Sequence, residues 1–270
     1  MRKCISSKDN QQLKYYLSLH DARKASKADL AYIEGVRLCE DCLNSGVKPS
    51  VIFFTSKMND CVDKWMHIYS LDDSIDFYEL TEECFSKLAS TVNPQGIAMF
   101  IKKSDCNVIS VNEEKSLPVR DGKNIYVVLE NLQDPGNLGT ILRMADAFDF
   151  TAVLMTKDSV DPFNEKVLRA SMGSLWHIPV QIYENSDEIC DILERGNVHK
   201  YAAHLHGVPL TDNKFIFPAA YFIGNEGKGL TDRVSDRCEY KIKIPMPGKA
   251  ESLNAASAAS IIGYLLSSQI

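Results

Sequence analysis

The sequence predicts a two-domain α/β protein whose second domain is built on a mostly parallel sheet with helices on both faces. The chain has 270 residues, a length that fits one or two domains. From residue 124 onward, continuous apolar strands alternate with helical patterns, as in parallel sheets covered on both sides. A smaller α/β region, residues 1–103, precedes it, and the polar, aperiodic stretch 104–123 is predicted to be a linker.

Composition and charge limit the class of protein. Hydrophobic residues make up 45% and charged residues 24%, so a sizeable core is expected. No apolar run approaches the ~20 residues of a membrane helix, and no secretory signal is visible. Scattered cysteines indicate reduced thiols and a cytoplasmic protein, and the lone Cys39–Cys42 pair is interpreted as helix-face thiols rather than a metal site.

In the first region the pattern predicts a helix over 30–43, a strand over 51–55, a helix over 81–89 and a strand over 96–102. The net charge of −6 argues against a protein that coats nucleic acid by charge alone. Basic residues are nevertheless concentrated near the N-terminus. They suit a local patch that contacts phosphate, and a solvated helix face explains them equally well.

In the second region six strands are predicted, over 125–129, 152–155, 179–183, 201–204, 220–223 and 240–244. Helices are predicted over 137–148, 165–171 and 187–195, with a further small-residue helix after Asn254. Ligands of parallel sheets bind beyond the carboxyl ends of the strands. Three loops rich in Gly, Asn and Ser fall at such ends.

The first loop, residues 131–143, follows the first strand of this region. Asp134 starts a tight turn through Pro135, and Asn137 is predicted to cap the next helix. Arg143 lies six residues further on, where a cation near a helix start opposes the dipole. Phosphate or hydroxyl binding would explain it. A plain cap and a salt bridge are the simpler explanations of Asn137 and Arg143 taken alone.

The second loop, residues 223–230, holds three glycines and permits close backbone approach to a ligand. It fits neither the dinucleotide fingerprint nor a Walker A loop, and Glu226 suits a hydroxyl or a cation better than a phosphate. The third loop, residues 244–254, passes through Pro247-Gly248 to Asn254, a predicted N-cap. His204 and His206 flank a strand end and are interpreted as structural.

Together the segments DPGNLGTILRMA (134–145), FIGNEGKGL (222–230) and IPMPGKAESLNAASAA (244–259) resemble the three motifs of the SpoU/TrmH family of RNA ribose 2′-O-methyltransferases, in the SPOUT superfamily. RASMGSLWHIP (169–179) resembles a further family segment. IEGVRL (33–38) and NPQGI (93–97) resemble the family's substrate-binding domain. The resemblance covers nearly the whole chain and keeps the family's order.

The resemblance implies a trefoil-knotted methyltransferase domain over 124–270 and a ribosomal-protein-like RNA-binding domain over 1–103. It also implies S-adenosyl-L-methionine as cofactor, no metal, and a homodimer whose active site uses both subunits. The expected activity is methylation of a ribose 2′-hydroxyl of RNA, of the 23S ribosomal type. A tRNA enzyme and a non-catalytic knotted RNA-binding protein remain alternatives, and a generic nucleotide-binding enzyme would need a phosphate fingerprint that the sequence lacks.

The resemblance also assigns site residues. The cofactor contacts fall on the backbone of Gly224, Ile244 and Leu253, in a pocket shaped by Asn225, Gly227, Gly229 and Met246. The catalytic positions are Asn137, Arg143, Glu226, Ser252 and Asn254. The residues expected to contact RNA are Arg23, Lys24, Lys27, Arg37 and Arg169.

Among these, Arg143 is expected to orient the 2′-oxygen, stabilise its developing charge and hold a neighbouring phosphate that takes the proton. A guanidinium stays protonated, so Arg143 is a poor general base. Glu226 as the base remains open.

Overall fold

The computed structural model describes residues 2–72, 74–111 and 116–269 and divides into two compact units, one ending at Cys106 and one beginning at Asn107. Part of the predicted linker, residues 112–115, lies outside the described residues. Within the same predicted linker, Val108–Ser110 forms a strand that belongs to the second unit.

The first unit is a five-stranded mixed sheet with helices. Its strands are β1 (Arg2–Ile5), β2 (Leu30–Glu34), β3 (Pro49–Thr55), β4 (Asp76–Leu80) and β5 (Ile97–Lys102). Its helices are α1 (Gln11–Ser18), α2 (Ala22–Ala28), α3 (Val36–Asn44), α4 (Asn59–Ile68) and α5 (Glu82–Leu88). The strand order is β1-β4-β3-β5-β2, with β5 antiparallel to both neighbours.

The prediction of one helix over 30–43 is wrong, because the segment divides at Gly35. Before it, β2 pairs antiparallel with β5 and is mostly buried. Gly35 has a φ of +97°, a conformation that breaks either element, and α3 starts at the next residue. Cys39 and Cys42 are buried in α3, where burial raises the pKa of both thiols. The strands predicted over 51–55 and 96–102 and the helix over 81–89 are confirmed.

The second unit is a seven-stranded sheet. Its strands are β6 (Val108–Ser110), β7 (Ile125–Leu129), β8 (Ala152–Thr156), β9 (Val180–Tyr183), β10 (His199–Pro209), β11 (Ala219–Ile223) and β12 (Tyr240–Lys243). Its helices are α6 (Pro135–Ala147), α7 (Glu165–Ser171), α8 (Ser186–Arg195), α9 (Asp232–Asp236) and α10 (Ala255–Ser267).

Every strand pair in this sheet is parallel, which confirms the predicted architecture. The order is β12-β10-β11-β7-β8-β9-β6. α8 and α9 pack against one face, in a cluster that includes Val128 and Phe222. On the other face the Tyr221 hydroxyl donates to the carbonyl of Ala259 at 3.0 Å, which attaches α10 to β11. The two apolar faces explain why the strands read as unbroken apolar runs.

Close packing of α6 against α7 depends on Gly139. A Cβ at this position would lie 2.4 Å from the Cβ of Ala170. Because that separation is far below van der Waals contact, only glycine lets the two helices approach this closely. The carboxyl ends of β7, β10, β11 and β12 lie along one edge of the sheet, where the three predicted loops follow. None of the described helices is long and apolar enough to cross a membrane.

Candidate active site

The helix of the first loop begins earlier than the sequence suggested. Asp134 is the N-cap of α6, and its Oδ1 accepts a hydrogen bond from the N–H of Asn137 at 2.7 Å. The prediction that Asn137 caps this helix is therefore wrong. Pro135 occupies the first helical position, where its fixed φ and missing N–H suit a helix start. The Asn137 side chain is thereby available for contacts outside the helix.

The Asn137 side chain joins all three loops. It is only 7% exposed. Its Nδ2 donates to Oε1 of Glu226 at 3.0 Å, and its Oδ1 accepts from Nδ2 of Asn254 at 2.8 Å. One amide from the first loop thus holds a carboxylate from the second and an amide from the third. We call Asn137, Glu226 and Asn254 the Asn137 network.

Glu226 is a bound carboxylate rather than a free one. Besides Asn137, it accepts hydrogen bonds from the N–H groups of Gln133, at 3.1 Å, and Asp134, at 2.8 Å. Partial burial raises its pKa, but these hydrogen bonds outweigh that effect and the pKa of Glu226 lies below its usual value. The carboxylate also complements the positive start of α6. An ionised group of lowered basicity positions the loops well and accepts protons poorly.

The second loop is a closed turn organised by Asn225. Its backbone N–H donates to the carbonyl of Gly229 at 3.1 Å and its carbonyl accepts from the Gly229 N–H at 2.8 Å. Its side-chain Oδ1 accepts from the N–H groups of Gly227 and Lys228, and its Nδ2 donates to the carbonyl of Asn131. Asn225 therefore fixes the shape of the loop and attaches it to the first loop.

The glycine at 224 is required by this turn. A Cβ on Gly224 would lie 2.1 Å from the carbonyl carbon of Gly229 and 2.2 Å from the nitrogen of Leu230. Both are backbone atoms, which cannot move aside without opening the turn. A larger residue at 224 would therefore disrupt the loop itself, before any ligand is considered.

The third loop ends at Asn254, which caps α10 as predicted. Its Oδ1 accepts from the N–H groups of Ala256, at 2.9 Å, and Ser257, at 3.2 Å. Because its Nδ2 also binds Asn137, one side chain both starts α10 and joins the helix to the first loop. Ser252 and Leu253, just before it, are exposed.

A cavity of about 370 Å³ opens between the second and third loops and the end of β10. Its volume is in the range of small-molecule sites. All seven predicted cofactor-binding residues line it, namely Gly224, Asn225, Gly227, Gly229, Ile244, Met246 and Leu253. Two of the predicted catalytic residues, Glu226 and Ser252, line it as well.

Several lining residues were missed by the sequence analysis, among them Ala203, His204 and Leu205 of β10. Strand order could have identified them: β10 lies between β11 and β12, and the loops that follow those two strands were already assigned to the site. The interpretation of His204 as merely structural did not use it.

Arg143 does not line this cavity. It is exposed on α6, on the same stripe as Gly136 and Thr140. Among the residues that the structure describes, its guanidinium has no hydrogen-bond or ion-pair partner. The salt bridge considered from the sequence is therefore not found there. Arg143 is a free cation on the surface of the same helix that supplies Asn137.

The residues expected to contact RNA are exposed but dispersed. Arg23, Lys24 and Lys27 lie on α2, whereas Arg37 lies near the start of α3. Arg169 lies in the second unit, on α7, and pairs with Glu165 one turn away at 3.7 Å. None of the described residues forms a group of three or more His, Cys, Asp or Glu side chains placed to hold a metal ion.

Known protein families match both units of the chain. The SpoU rRNA methylase family matches residues 124–264, which contain all three loops. The chain belongs to the SpoU rRNA methylase family. An MRM3-like substrate binding domain matches residues 10–99, within the first unit. The chain is thus an S-adenosyl-L-methionine-dependent RNA 2′-O-methyltransferase.

Two curated relatives and two solved structures show how far the similarity extends. A 23S rRNA (guanosine(2553)-2′-O)-methyltransferase, RlmP, of Bacillus subtilis is 33% identical, covering 98% of this chain and 99% of its own. An uncharacterized tRNA/rRNA methyltransferase of Synechocystis is 29% identical, covering 96% and 92%. An AdoMet-bound rRNA methyltransferase of Sinorhizobium meliloti has a TM-score of 0.82 at 25% identity, covering 98% and 97%. The structure of an RNA 2′-O ribose methyltransferase has a TM-score of 0.80 at 25% identity, covering 100% of this chain and 99% of its own.

The cavity suits S-adenosyl-L-methionine by its size and lining. Apolar side chains such as Ile223, Ile242 and Ile262 can pack on a purine ring, and the second loop offers backbone donors and acceptors. The charged lining residues are of both signs: Glu226 and Glu251 can attract the cationic groups of the cofactor, and Lys228 and Lys243 can attract its carboxylate. The residues present therefore fit this cofactor.

Proposed function

We propose that this protein methylates a ribose 2′-hydroxyl of 23S-type ribosomal RNA. The observation that carries the proposal is the Asn137 network, which holds the three motif loops together beside a cofactor-sized cavity. The ribosomal target rests on the Bacillus subtilis relative, whose similarity extends over almost the whole of both chains.

In this proposal the cavity residues hold the cofactor, with the backbone of Gly224, Ile244 and Leu253 around the adenosyl group. Bound S-adenosyl-L-methionine supplies an electrophilic methyl group on a positively charged sulfur. Ser252 lines the cavity, and its hydroxyl has no hydrogen bond to any described residue, so it is free to orient the ribose. Asn137 and Asn254 act through position, since their amides are already bonded to each other.

The 2′-hydroxyl must lose a proton as it is methylated, and Arg143 is assigned to assist that loss. Its guanidinium remains charged, so it orients the oxygen and stabilises negative charge there rather than taking the proton. Glu226 is a weak candidate for the base because both of its oxygens already accept hydrogen bonds and its pKa is lowered. A phosphate of the RNA, held by Arg143, is the proposed acceptor.

Because Arg143 lies outside the cavity of its own chain, we include a homodimer in the proposal. The exposed stripe of α6 with Thr140 and Arg143 has a counterpart on α10, where Ile261 is 39% and Tyr264 59% exposed. Two large, partly exposed side chains of this kind suit contact with a second copy of the chain. A symmetric dimer would bring Arg143 of one protomer to the cavity of its partner.

The remaining parts of the proposal concern fold topology, RNA binding and location. α10 closes a trefoil knot in the second unit. Exposed Arg23, Lys24, Lys27 and Arg37 contact RNA phosphates from the first unit, and Arg169 does so from the second. Such contacts make RNA binding weaken steeply with salt. The protein acts in the cytoplasm.

The test is methyl transfer to defined RNAs. The 270-residue protein is incubated with methyl-labelled S-adenosyl-L-methionine and transcripts of 23S rRNA, 16S rRNA and a tRNA pool. The 2′-O-methylnucleosides are identified by mass spectrometry. We expect label on a ribose of 23S rRNA alone. A parallel reaction supplies intact ribosomal subunits in place of the transcripts. Label confined to tRNA would make tRNA the substrate instead of ribosomal RNA. Cofactor binding without transfer to any of these RNAs or to the subunits would favour a non-catalytic role.

A further inference from the structure

The end of β10 has an unusual geometry where it meets the cavity. Ala203 and Val208 both pair with the same residue of β12, Ile242. Residues 204–207 therefore bulge out of the sheet. Gly207 seats this bulge, because a Cβ there would lie 2.5 Å from the backbone nitrogen of Ile242. The close backbone contact fixes the bulge on β12.

His204 is the first residue of this bulge, and it lines the cavity. Its Nδ1 lies 3.1 Å from the backbone nitrogen of His206 and accepts that N–H. In a neutral imidazole one nitrogen accepts and the other donates, so the proton of His204 is on Nε2. Nε2 makes no hydrogen bond to any residue that the structure describes. The bulge thus presents a donor of defined tautomer in a ligand cavity.

The position of His204 indicates which part of a ligand it meets. β10 lies between β11 and β12 in the sheet, so His204 lies between the loop of Gly224 and the end of the strand leading to Ile244. These two positions hold the adenosyl group in the proposed function. A neutral N–H donor suits the ring nitrogens and ribose oxygens of that group.

The charged residues of the cavity suit the other half of the cofactor. Lys228 and Lys243 can attract the carboxylate of the methionine tail, and Glu251 can attract its ammonium group. We infer that His204 is a cofactor-binding residue that donates its Nε2–H to the adenosyl group of S-adenosyl-L-methionine. The inference rests on the proposed placement of that group between Gly224 and Ile244.

Calorimetry with two ligands tests this assignment. S-adenosylhomocysteine carries the whole cofactor skeleton, whereas 5′-methylthioadenosine carries the adenosyl group without the amino-acid tail. We expect His204→Met to weaken both ligands about tenfold, the usual worth of one hydrogen bond. His204→Gln, whose amide nitrogen reaches the place of Nε2, should keep most of the affinity. His199→Met, at the opposite end of β10, is the matched control.

The outcomes separate this inference from the proposed function. Unchanged affinity of His204→Met, or a loss confined to S-adenosylhomocysteine, would overturn the role of His204 while leaving the enzyme assignment intact. Failure of the wild-type chain to bind either ligand would instead count against the proposed function. Equal melting temperatures of the His204 and His199 variants exclude misfolding as the cause.

A measurement on the unmodified chain covers the case in which the variants do not fold. Nitrogen NMR of the imidazole rings reports the tautomer directly. We expect His204 to carry its proton on Nε2 and that resonance to shift when 5′-methylthioadenosine is added. A proton on Nδ1, or an Nε2 resonance that ignores the ligand, would contradict the assignment.

Discussion

The Asn137 network differs from the exposed residues of α6 and α10, Arg143, Ile261 and Tyr264, in how many contacts a single chain provides for them. In the network every side-chain amide and carboxylate has partners within the chain. Arg143 lies about one and two-thirds turns further along the same helix and has no partner among the described residues. On α10, Ile261 and Tyr264 are 39% and 59% exposed. The contrast supports the proposed homodimer, in which one chain shapes the cofactor cavity and a second copy supplies Arg143.

The largest effect is expected from removing the unpartnered cation. Arg143→Ala should lower kcat by about 10²–10³-fold, the usual loss of a group that stabilises developing charge. S-adenosylhomocysteine affinity should not change, because Arg143 does not line the cavity. Single-turnover methylation and calorimetry measure the two quantities, with Arg195→Ala, an exposed arginine on α8, as control. Normal turnover in Arg143→Ala would remove Arg143 from the mechanism.

Opening the second loop should damage the cavity. Gly224→Val places a side chain against the backbone of Gly229 and Leu230, so we expect about 100-fold weaker cofactor binding, measured by calorimetry. Gly248→Ala is the control, since a Cβ there meets nothing within 4 Å. Equal affinities of the two variants would mean that the turn is dispensable.

Mixing these two defects tests the shared site. If Arg143 serves the partner's cavity, a heterodimer of Arg143→Ala and Gly224→Val chains has one intact site. Random mixing should then restore about a quarter of wild-type activity, from two inactive proteins. Co-refolding at equal amounts followed by the methylation assay measures this. No recovery, despite heterodimers seen by native mass spectrometry, would place each active site within one chain.

A change of one atom should weaken the Asn137 network. Asn137→Asp replaces the donor to Glu226 by a second carboxylate, and we expect a loss of about 2 kcal/mol in the free energy of unfolding. Chemical denaturation at pH 7 measures it, with Asn185→Asp, an N-cap whose Oδ1 is conserved by the change, as control. Equal stability of both variants would mean that Asn137 holds nothing in place.

The smallest effect is expected from Glu226→Gln, and it depends on pH. The folded-state pKa of Glu226 is lowered, so its charge stabilises the fold above the unfolded pKa of about 4.3 and this contribution is lost as pH falls below it. Because the carboxylate is exposed, we expect only about 1 kcal/mol at pH 7. The free energies of unfolding of wild type and Glu226→Gln, measured between pH 3 and pH 7, should become equal at the acid end of this range. A constant difference would contradict the role of the charge.

Much of the cavity could be predicted from the sequence, for a physical reason. The resemblance to the family assigned the residues at 224–229 and 244–253, and in a parallel sheet the loops that follow the strands lie at one edge, where these two can line the same cavity. The partners of Asn137 could not be predicted in the same way, since they lie 89 and 117 residues away and depend on tertiary packing. The cap was misassigned because Pro135 starts α6 earlier than the apolar pattern suggests.

Local errors elsewhere have similar causes. The helix predicted over 30–43 includes β2 because the apolar residues of β2 fit a helical period as well as a buried strand, and only its pairing with β5 decides between them. The bulge at residues 204–207 leaves no periodic signal at all. It arises because Ala203 and Val208 of β10 both pair with Ile242 of β12, and this pairing is known only from the three-dimensional structure.

The chain of amides from Asn254 through Asn137 to Glu226 has a direction, since each group donates to the next. Replacing one member alone breaks the chain, because a neighbouring donor would then face another donor, or a neighbouring acceptor another acceptor. These three positions, which are distant in sequence, are therefore expected to co-vary among related enzymes. Related enzymes that abandon one of them should have abandoned the others too.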